Sequence, residues 1–552
     1  MAKKPQKIQI IPLGGLGERG KNMTAVRCGD DIVVIDAGLM FPDEDMLGID
    51  LVIPDISYLL DNRDLIRGII LTHGHEEHIG ALPFILKQLK VPVYGGDFTI
   101  AIVENRLLEY GIDAAPLNRV KQGDQVALGH FRLGFISVNH SIPDSLAVSL
   151  QTPVGTILYT GDFNFDQTPV GGRVTNFHRF AELGDRGILA LLADSMNAER
   201  VGYSGSEQLV GLLFDNTFRL AKGRIIVAVL SSHIHCIQQV LDAAFKCERK
   251  VAVLGNDLEN MMTIASKIGH LHIPSGLLIG IDEANAQTSV VIISSGNKGD
   301  PVSALTKLAM AGYKKITITH GDTVMIPTIS IQENEKQLSR TVDGLLKQGA
   351  EIIDIKKTGI NVSSHASQEE LKLMHNLLRP KFFIPIQGEY RQLVKHGFLA
   401  QELGMVKENI FIIENGTVIE LSNDKSNVSG KILTGNVFVD GLGVGDVGNI
   451  VLRDRRQLSQ DGIVILIVTL DREHGSILAG PDIVSRGFVY IRESEDLIEE
   501  ARDKVQQTLE RCSQDGVIEW AALKSVIRDT LGKYLYEKTR RRPMILPIIM
   551  DA

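Results

Sequence analysis

Short apolar runs that stop at glycine, acid or histidine set the rhythm of the first part of the chain. Lys7 to Leu13, Ile69 to Leu71, Val91 to Tyr94, Phe131 to Val138 and Val148 to Leu150 read as strands, and Phe98 to Tyr110 has the clearest helical spacing between them. Met23 to Val26 and Ile32 to Ile35, joined through Gly29-Asp30-Asp31, read as a hairpin. From about Gly223 the pattern changes. Arg224 to Leu230, Lys250 to Leu254 and Ser289 to Ile293 are strand-like, and helical stretches follow them at Ile237 to Lys246, Leu258 to Ile268 and Val302 to Ala311. Such alternation predicts a small parallel-sheet domain inserted into the first one. The chain returns to the first domain around Ile352 to Phe383, and Ile410 to Ile413 with Thr417 to Glu420 close it. Polar Asn423 to Asn427 and glycine-rich Gly441 to Gly448 bracket a linker. Strands at Ile463 to Leu470 and Val489 to Ile491, and helices from Glu493 to Cys512 and Trp520 to Thr539, predict a small α+β unit at the end.

Composition narrows the classes. At roughly 150 residues per domain the length implies three or four structural units, and 44% hydrophobic with 23% charged residues describes an ordinary globular chain. A net charge of −9 argues against a protein that coats nucleic acid indiscriminately, so any RNA or DNA contact must come from local basic runs such as Arg453/Arg455/Arg456 or Lys538/Arg540/Arg541/Arg542. Cys28, Cys236, Cys247 and Cys512 are too scattered for a zinc knuckle or a disulfide framework, which fits a reducing compartment. No apolar run approaches the roughly 20 residues of a membrane span, and Met1-Ala2-Lys3-Lys4-Pro5 does not lead into a signal peptide. The expected location is the cytoplasm, without a membrane partner.

The chemistry is concentrated in Thr72-His73-Gly74-His75-Glu76-Glu77-His78, directly after a buried strand. Imidazole and carboxylate suit zinc or manganese, and ligands two residues apart on a tight turn can converge on one ion while the next pair faces a second. Gly15, Gly17 and Gly20 form a literal GxGxxG, but the hairpin after them leaves no room for the helix that a dinucleotide site needs. Those glycines instead let a loop pass close to the metal site.

The histidine spacing resembles the signature of the metallo-β-lactamase superfamily, with Glu77 where the signature has aspartate. That resemblance implies a ligand set of His73, His75 and His140 for one metal, Glu77 and His78 for the other, and Asp162 bridging, with Asp36 orienting the ligands from behind.

The whole chain, from about Ile8 to Pro547, further resembles the ribonuclease J family. The motifs are Leu13-Gly14-Gly15-Leu16-Gly17-Glu18, Tyr159-Thr160-Gly161-Asp162-Phe163, Asp194-Ser195 with Asn197-Ala198-Glu199, Ser367 to Lys372, and Arg486-Gly487-Phe488-Val489-Tyr490. The implied fold is α/β: a metallo-β-lactamase αββα sandwich in two parts (1–215 and 351–430), an inserted parallel-sheet β-CASP domain (216–350), a linker (431–448) and a small α+β association domain (449–552). The implied function is a ribonuclease with 5′→3′ exonuclease and endonuclease action in rRNA maturation and mRNA decay. Asp194 and His365 would assist catalysis beside Asp162. Ser232, His233 and His235 on one wall, and Asn361, Val362, Ser363, Ser364 and His365 on the other, would hold a 5′-monophosphorylated RNA.

Three departures from the family pattern matter. Ser364 replaces a glycine, which would narrow a loop that needs close approach or positive φ. Gln387 stands where the family supplies a last histidine ligand, and a neutral amide is a poor zinc ligand. Gln387 and Glu77 both fall on the second metal. The implied cofactors are therefore one firmly held Zn2+ and a second, weak or absent, with Mn2+ or Mg2+ as alternatives. Two-metal hydrolysis on ions about 3.5–4 Å apart would then be impaired. The pattern suits the second, weakly active paralogue of Gram-positive bacteria, either a homodimer or a hetero-oligomer with the active paralogue. The alternative is a largely inactive RNA-binding scaffold subunit of that pair.

Overall fold

Strands with no polar face, such as Asp31–Ile35 and Ala190–Asp194, are buried along their whole length, as strands between two covering layers must be. The structure, a computed structural model, describes residues 7–112, 115–296, 301–310, 312–313, 316–327, 335–360, 362–423, 425–471, 476–490, 494–517 and 519–551. It forms the αββα sandwich with an inserted parallel-sheet domain and a small α+β domain. One sheet has the strand order Ser426–Lys431, Thr417–Leu421, Ile8–Gly14, Met23–Cys28, Asp31–Ile35, Ile66–Ile70, Val93–Gly95 and Leu117–Arg119. The other runs Phe382–Ile386, Ala190–Asp194, Thr156–Tyr159, Leu146–Gln151, Phe131–Ser137 and Gln125–Leu128. Val33, Ile35 and Ile70 of the first meet Phe135, Val148, Tyr159 and Ile384 of the second in one buried cluster. On the far face of the second sheet, Leu158, Leu191 and Phe383 pack with Phe180, Met374 and Leu399 from helices Phe177–Arg186, Gln368–Leu378 and Tyr390–Glu402.

Register carries this packing to the site. Ile35 pairs with Ile70 in parallel, so the chain leaves both strands side by side and the Asp36 N–H donates to Ile70 O at 2.8 Å. Ala190–Asp194 pairs in parallel with Phe382–Ile386, which sets Asp194 beside Ile386 and next to Gln387.

The inserted sheet is wholly parallel, in the order Lys250–Leu254, Val290–Ser294, Ile225–Ala228, Thr323–Ile326, Glu351–Asp354. Its edge strand Glu351–Asp354 lies where the sequence pattern had already returned the chain to the first domain; Ile352 packs against the inserted core instead. Ile410 to Ile413 supplies only an isolated bridge, Phe383 to Ile410.

The chain divides into two units, one of residues up to 40 with 53–436 and one of 41–52 with 437–552. Part of the expected linker is structured, because Val437, Phe438 and Val439 form the strand Asn436–Asp440, which turns back into Gly443–Val444. In the second unit the sheet order is Ile477–Arg486, Ile463–Leu470, Met544–Asp551, with helices Glu495–Gln514 and Trp520–Thr539 on the face of Val464, Leu466 and Val468. Val489 and Tyr490 are not strand, and Ile491 lies outside the described residues. Phe488 is buried among the helix residues, and Ile477–Arg486 supplies the pairing strand in its place.

Candidate metal centre

The histidine loop is held from behind by a strained aspartate. Asp36 has φ +60°, and its carboxylate accepts from the Thr72 N–H (2.8 Å), the Thr72 hydroxyl (3.0 Å) and His78 Nδ1 (2.7 Å). A non-glycine residue in the left-handed region persists only where its surroundings over-determine it. The next turn packs against the loop itself: Ala37 N–H donates to His78 O and Leu39 N–H to Glu76 O. A Cβ on Gly38 would stand 1.6 Å from Glu77 O, so glycine is required for this close approach.

Three imidazoles converge in front of the loop. His75 Nδ1 lies 3.1 Å from both His73 Nε2 and His140 Nε2, and Asp162 Oδ2 lies 3.5 Å from the former and 3.6 Å from the latter. Tetrahedral zinc with ligands at about 2.0–2.2 Å has donor-to-donor edges of roughly 3.3–3.6 Å, so the set matches one ion. The free nitrogens are also prepared. His140 Nδ1 donates to Ser364 O at 2.8 Å, and Thr72 Oγ1, which donates to Asp36, accepts from His73 Nδ1 at 3.0 Å. Both tautomers leave Nε2 as a lone pair facing the site. Burial pushes His73 and His75 well below the ordinary histidine value and His140 down to about 4. Burial opposes charge on Asp162 as well, but His78, His73 and His365 hold its carboxyl well below the usual range. Neutral imidazoles around an ionised carboxylate are what a divalent cation requires, and the residues present fit a metal.

The surroundings of the second position differ. Asp162, Asp194 and His365 form a second group of potential ligands, and Asp162 belongs to both. His365 Nδ1 donates to Asp194 Oδ2 at 2.8 Å. Burial opposes the His365 charge, yet Asp194 and Asp162 lift the imidazole to about 9. Glu77 and His78, expected to bind the second metal, belong to neither group. Glu77 sits in the first turn of helix Glu76–Ile79 with its carbonyl accepting from Asn22 N–H. His78 is engaged by Asp36 and approaches Asp162 Oδ1 at 3.3 Å and Asn22 Nδ2 at 3.1 Å. Gln387 is in the left-handed region at φ +56° and almost fully buried; among the described residues neither its amide oxygen nor its amide nitrogen has a hydrogen-bond partner. Gly388 beside it bridges to Leu16 and Glu18, which brings the glycine-rich loop against the site.

Four regions of the chain match family descriptions: residues 16–195 the metallo-beta-lactamase superfamily, 222–345 the "Ribonuclease J, beta-CASP domain", 355–413 the "Zn-dependent metallo-hydrolase RNA specificity domain", and 450–552 the "Ribonuclease J C-terminal domain". Ribonuclease J2 of Bacillus subtilis (strain 168) is 44% identical over 553 residues, covering 100% of both chains. The chain belongs to the ribonuclease J family. It groups with the second paralogue, since Ribonuclease J 2 of Staphylococcus aureus (strain NCTC 8325 / PS 47) is also 44% identical, over 100% of this chain and 99% of that one. A crystal structure of a protein of unknown function from Enterococcus faecalis V583 shares the fold, with a TM-score of 0.54 and 15% identity over 75% of this chain and 100% of its own. Membership of the ribonuclease J family makes this a metal-binding ribonuclease fold with an RNA-specificity domain.

In this ribonuclease J chain His365 opens onto a cleft of about 620 Å³ whose lining includes Val362, Ser363, Ser364, His233, Glu207 and Lys356. Asn361 lies outside the described residues. Ser232 and His235, expected on the same wall, are not in the lining: His235 leans against Gly171 and points Nδ1 back toward Glu207. Ser364 needs no positive φ, so the lost glycine does not strain the loop; its carbonyl is the acceptor for His140. Asn197, to which the sequence motif assigns no role, pins this loop by donating to Ser363 Oγ (2.6 Å) and His365 O (2.9 Å). Asn22 and Glu207 are not marked by the sequence either, because nothing in their spacing sets them apart. Both basic runs include cations engaged within the second unit: Arg455 and Arg456 pair with Asp440 and Asp45, and Lys538 pairs with Glu500. No helix among the described residues is long and apolar enough to cross a membrane.

Proposed function

We propose that this chain is a weak metal-dependent ribonuclease of the cytoplasm, a 5′→3′ exonuclease with a secondary endonuclease action, serving rRNA maturation and mRNA decay. The observation that carries the reading is the Asp194–His365 pair, 2.8 Å apart, with Asp162 shared between it and the three-histidine group. His73, His75, His140 and Asp162 would hold one zinc firmly, with manganese or magnesium as substitutes, and when bound the ion would supply Lewis-acid polarisation of a phosphoryl oxygen. The residues around it do the rest. His365, oriented through Nδ1 by Asp194, offers a proton to the leaving oxygen. Ser363 and His233 border the cleft that takes an RNA bearing a 5′ monophosphate. Activity is low because Glu77 and Gln387 give a second ion poor support, and such a site accelerates hydrolysis chiefly by stabilising charge in the transition state.

A second reading, a largely inactive RNA-binding scaffold for the active paralogue, is favoured by the buried, unpartnered Gln387 amide. In either case the chain assembles as a homodimer or as a hetero-oligomer with its paralogue, and sedimentation of the two purified chains, singly and mixed, distinguishes the two. For the activity itself, RNA labelled at either end is incubated with the purified chain and with His365→Ala. Mononucleotides released from the 5′ end, and lost in the variant, support the first reading; equal products from both proteins contradict it.

A further inference from the structure

A buried carboxylate just ahead of the inserted domain faces the same cleft. Glu207 immediately precedes helix Gln208–Leu220, and its side chain is only 10% exposed. Its backbone N–H donates to Asp166 Oδ2 (3.1 Å), a carboxylate that also accepts from the Ser206 hydroxyl (3.0 Å), so the position of Glu207 is fixed from the first domain. The side chain reaches the start of the neighbouring helix, Ile234–Lys246. Glu207 Oε1 accepts from His233 Nε2 at 2.5 Å, and Oε2 lies 3.6 Å from His235 Nδ1. Burial opposes the charge on Glu207, but the two imidazoles hold its carboxyl far below the usual range. A buried anion of this kind is retained only with partners that repay its desolvation. The contact commits His233 Nε2 and leaves Nδ1 as the edge of the ring available to a ligand.

We propose that Glu207 is a positioning residue for the terminal phosphate of the RNA, fixing His233 through Nε2 so that Nδ1 faces the cleft and donates to a phosphate oxygen. The proposal rests on the reading that the cleft takes a 5′-monophosphorylated RNA. With phosphate bound, the His233 ring lies between two anions, an arrangement that a lone surface histidine cannot offer. Arg200 and Lys356 in the same lining offset the negative charge that Glu207 brings to the cleft. His235 Nδ1 lies beside the other carboxylate oxygen.

The test is binding without turnover. Fluorescence anisotropy of one RNA sequence carrying either a 5′ monophosphate or a 5′ hydroxyl is measured on the full chain without added metal, for wild type, Glu207→Ala, Glu207→Gln, His233→Ala and the double alanine variant. Wild type is expected to prefer the monophosphate. Loss of a hydrogen bond to a charged group is worth roughly tenfold in affinity, so Glu207→Ala should weaken the monophosphate by about that factor and leave the hydroxyl RNA unchanged. Glutamine, which still accepts from Nε2, should recover part of the loss and also guards against a folding defect in the alanine variant. The double variant should lose no more than His233→Ala alone, because the two residues act as a unit. Equal weakening of both RNAs, or tighter phosphate binding once the carboxylate is gone, would overturn the role of Glu207 while leaving the 5′-phosphate reading in place. A wild type that does not distinguish the two ends would overturn both.

Discussion

At the scale of single residues, the first metal position is where three imidazoles and a carboxylate converge. His73, His75, His140 and Asp162 meet at edges of 3.1–3.6 Å with their tautomers set by Thr72 and Ser364, whereas Glu77 joins no ligand group. Restoring the family residues with Glu77→Asp and Gln387→His should raise bound zinc from about one to about two ions per chain and increase RNA cleavage. Metal analysis of the dialysed protein checks the first effect independently of activity, and a content that stays at one would show that the departures are not what limits the site. The candidate cluster was legible in the sequence at His73, His75 and His78, because histidines two and three residues apart after a strand have few structural uses. The roles of Ser364 and Asn197 were not legible, since one acts through a carbonyl and the other through a side chain that meets a loop more than 160 residues away.

At the scale of elements, parallel pairing brings strand ends together and tight turns do the rest. Asp31–Ile35 and Ile66–Ile70 place Asp36 against the histidine loop, and Gly38 allows the following turn to touch Glu77. Gly38→Ala should push the loop off its ligand geometry and lower metal affinity by about tenfold or more, the scale of change seen when groups supporting a metal site are disturbed; a zinc titration with a competing chelator reads it directly. Strand and helix alternation was legible through most of the first unit, where apolar runs are long and end at turn residues. It failed at Ile477–Arg486, where Gly480-Pro481-Asp482 interrupts the apolar run, and at Val489, where Phe488 was drawn into the helix core and not into a ladder.

At the scale of the whole molecule, the second unit is not a C-terminal domain alone. Residues 41–52, an excursion from the first part of the chain, belong to it. Within that unit Arg455 donates to Leu47 O at 3.0 Å and pairs with Asp440, and its guanidinium lies against Gly48. Arg455→Ala should therefore raise amide hydrogen exchange around 47–50 without altering the metal centre. A chain boundary read from composition could not find this, because a twelve-residue segment that mixes acids with apolar residues carries no periodicity that names its partner.

The central claim is that this chain hydrolyses RNA itself. Its most direct test is the rate at which the purified chain, alone and in excess over a 5′-monophosphorylated RNA, degrades it with manganese, beside a His75→Ala control. Slow loss of RNA that needs manganese and disappears in the control is the predicted result. A wild type as inert as the control would contradict the claim and leave the chain as a scaffold for its paralogue.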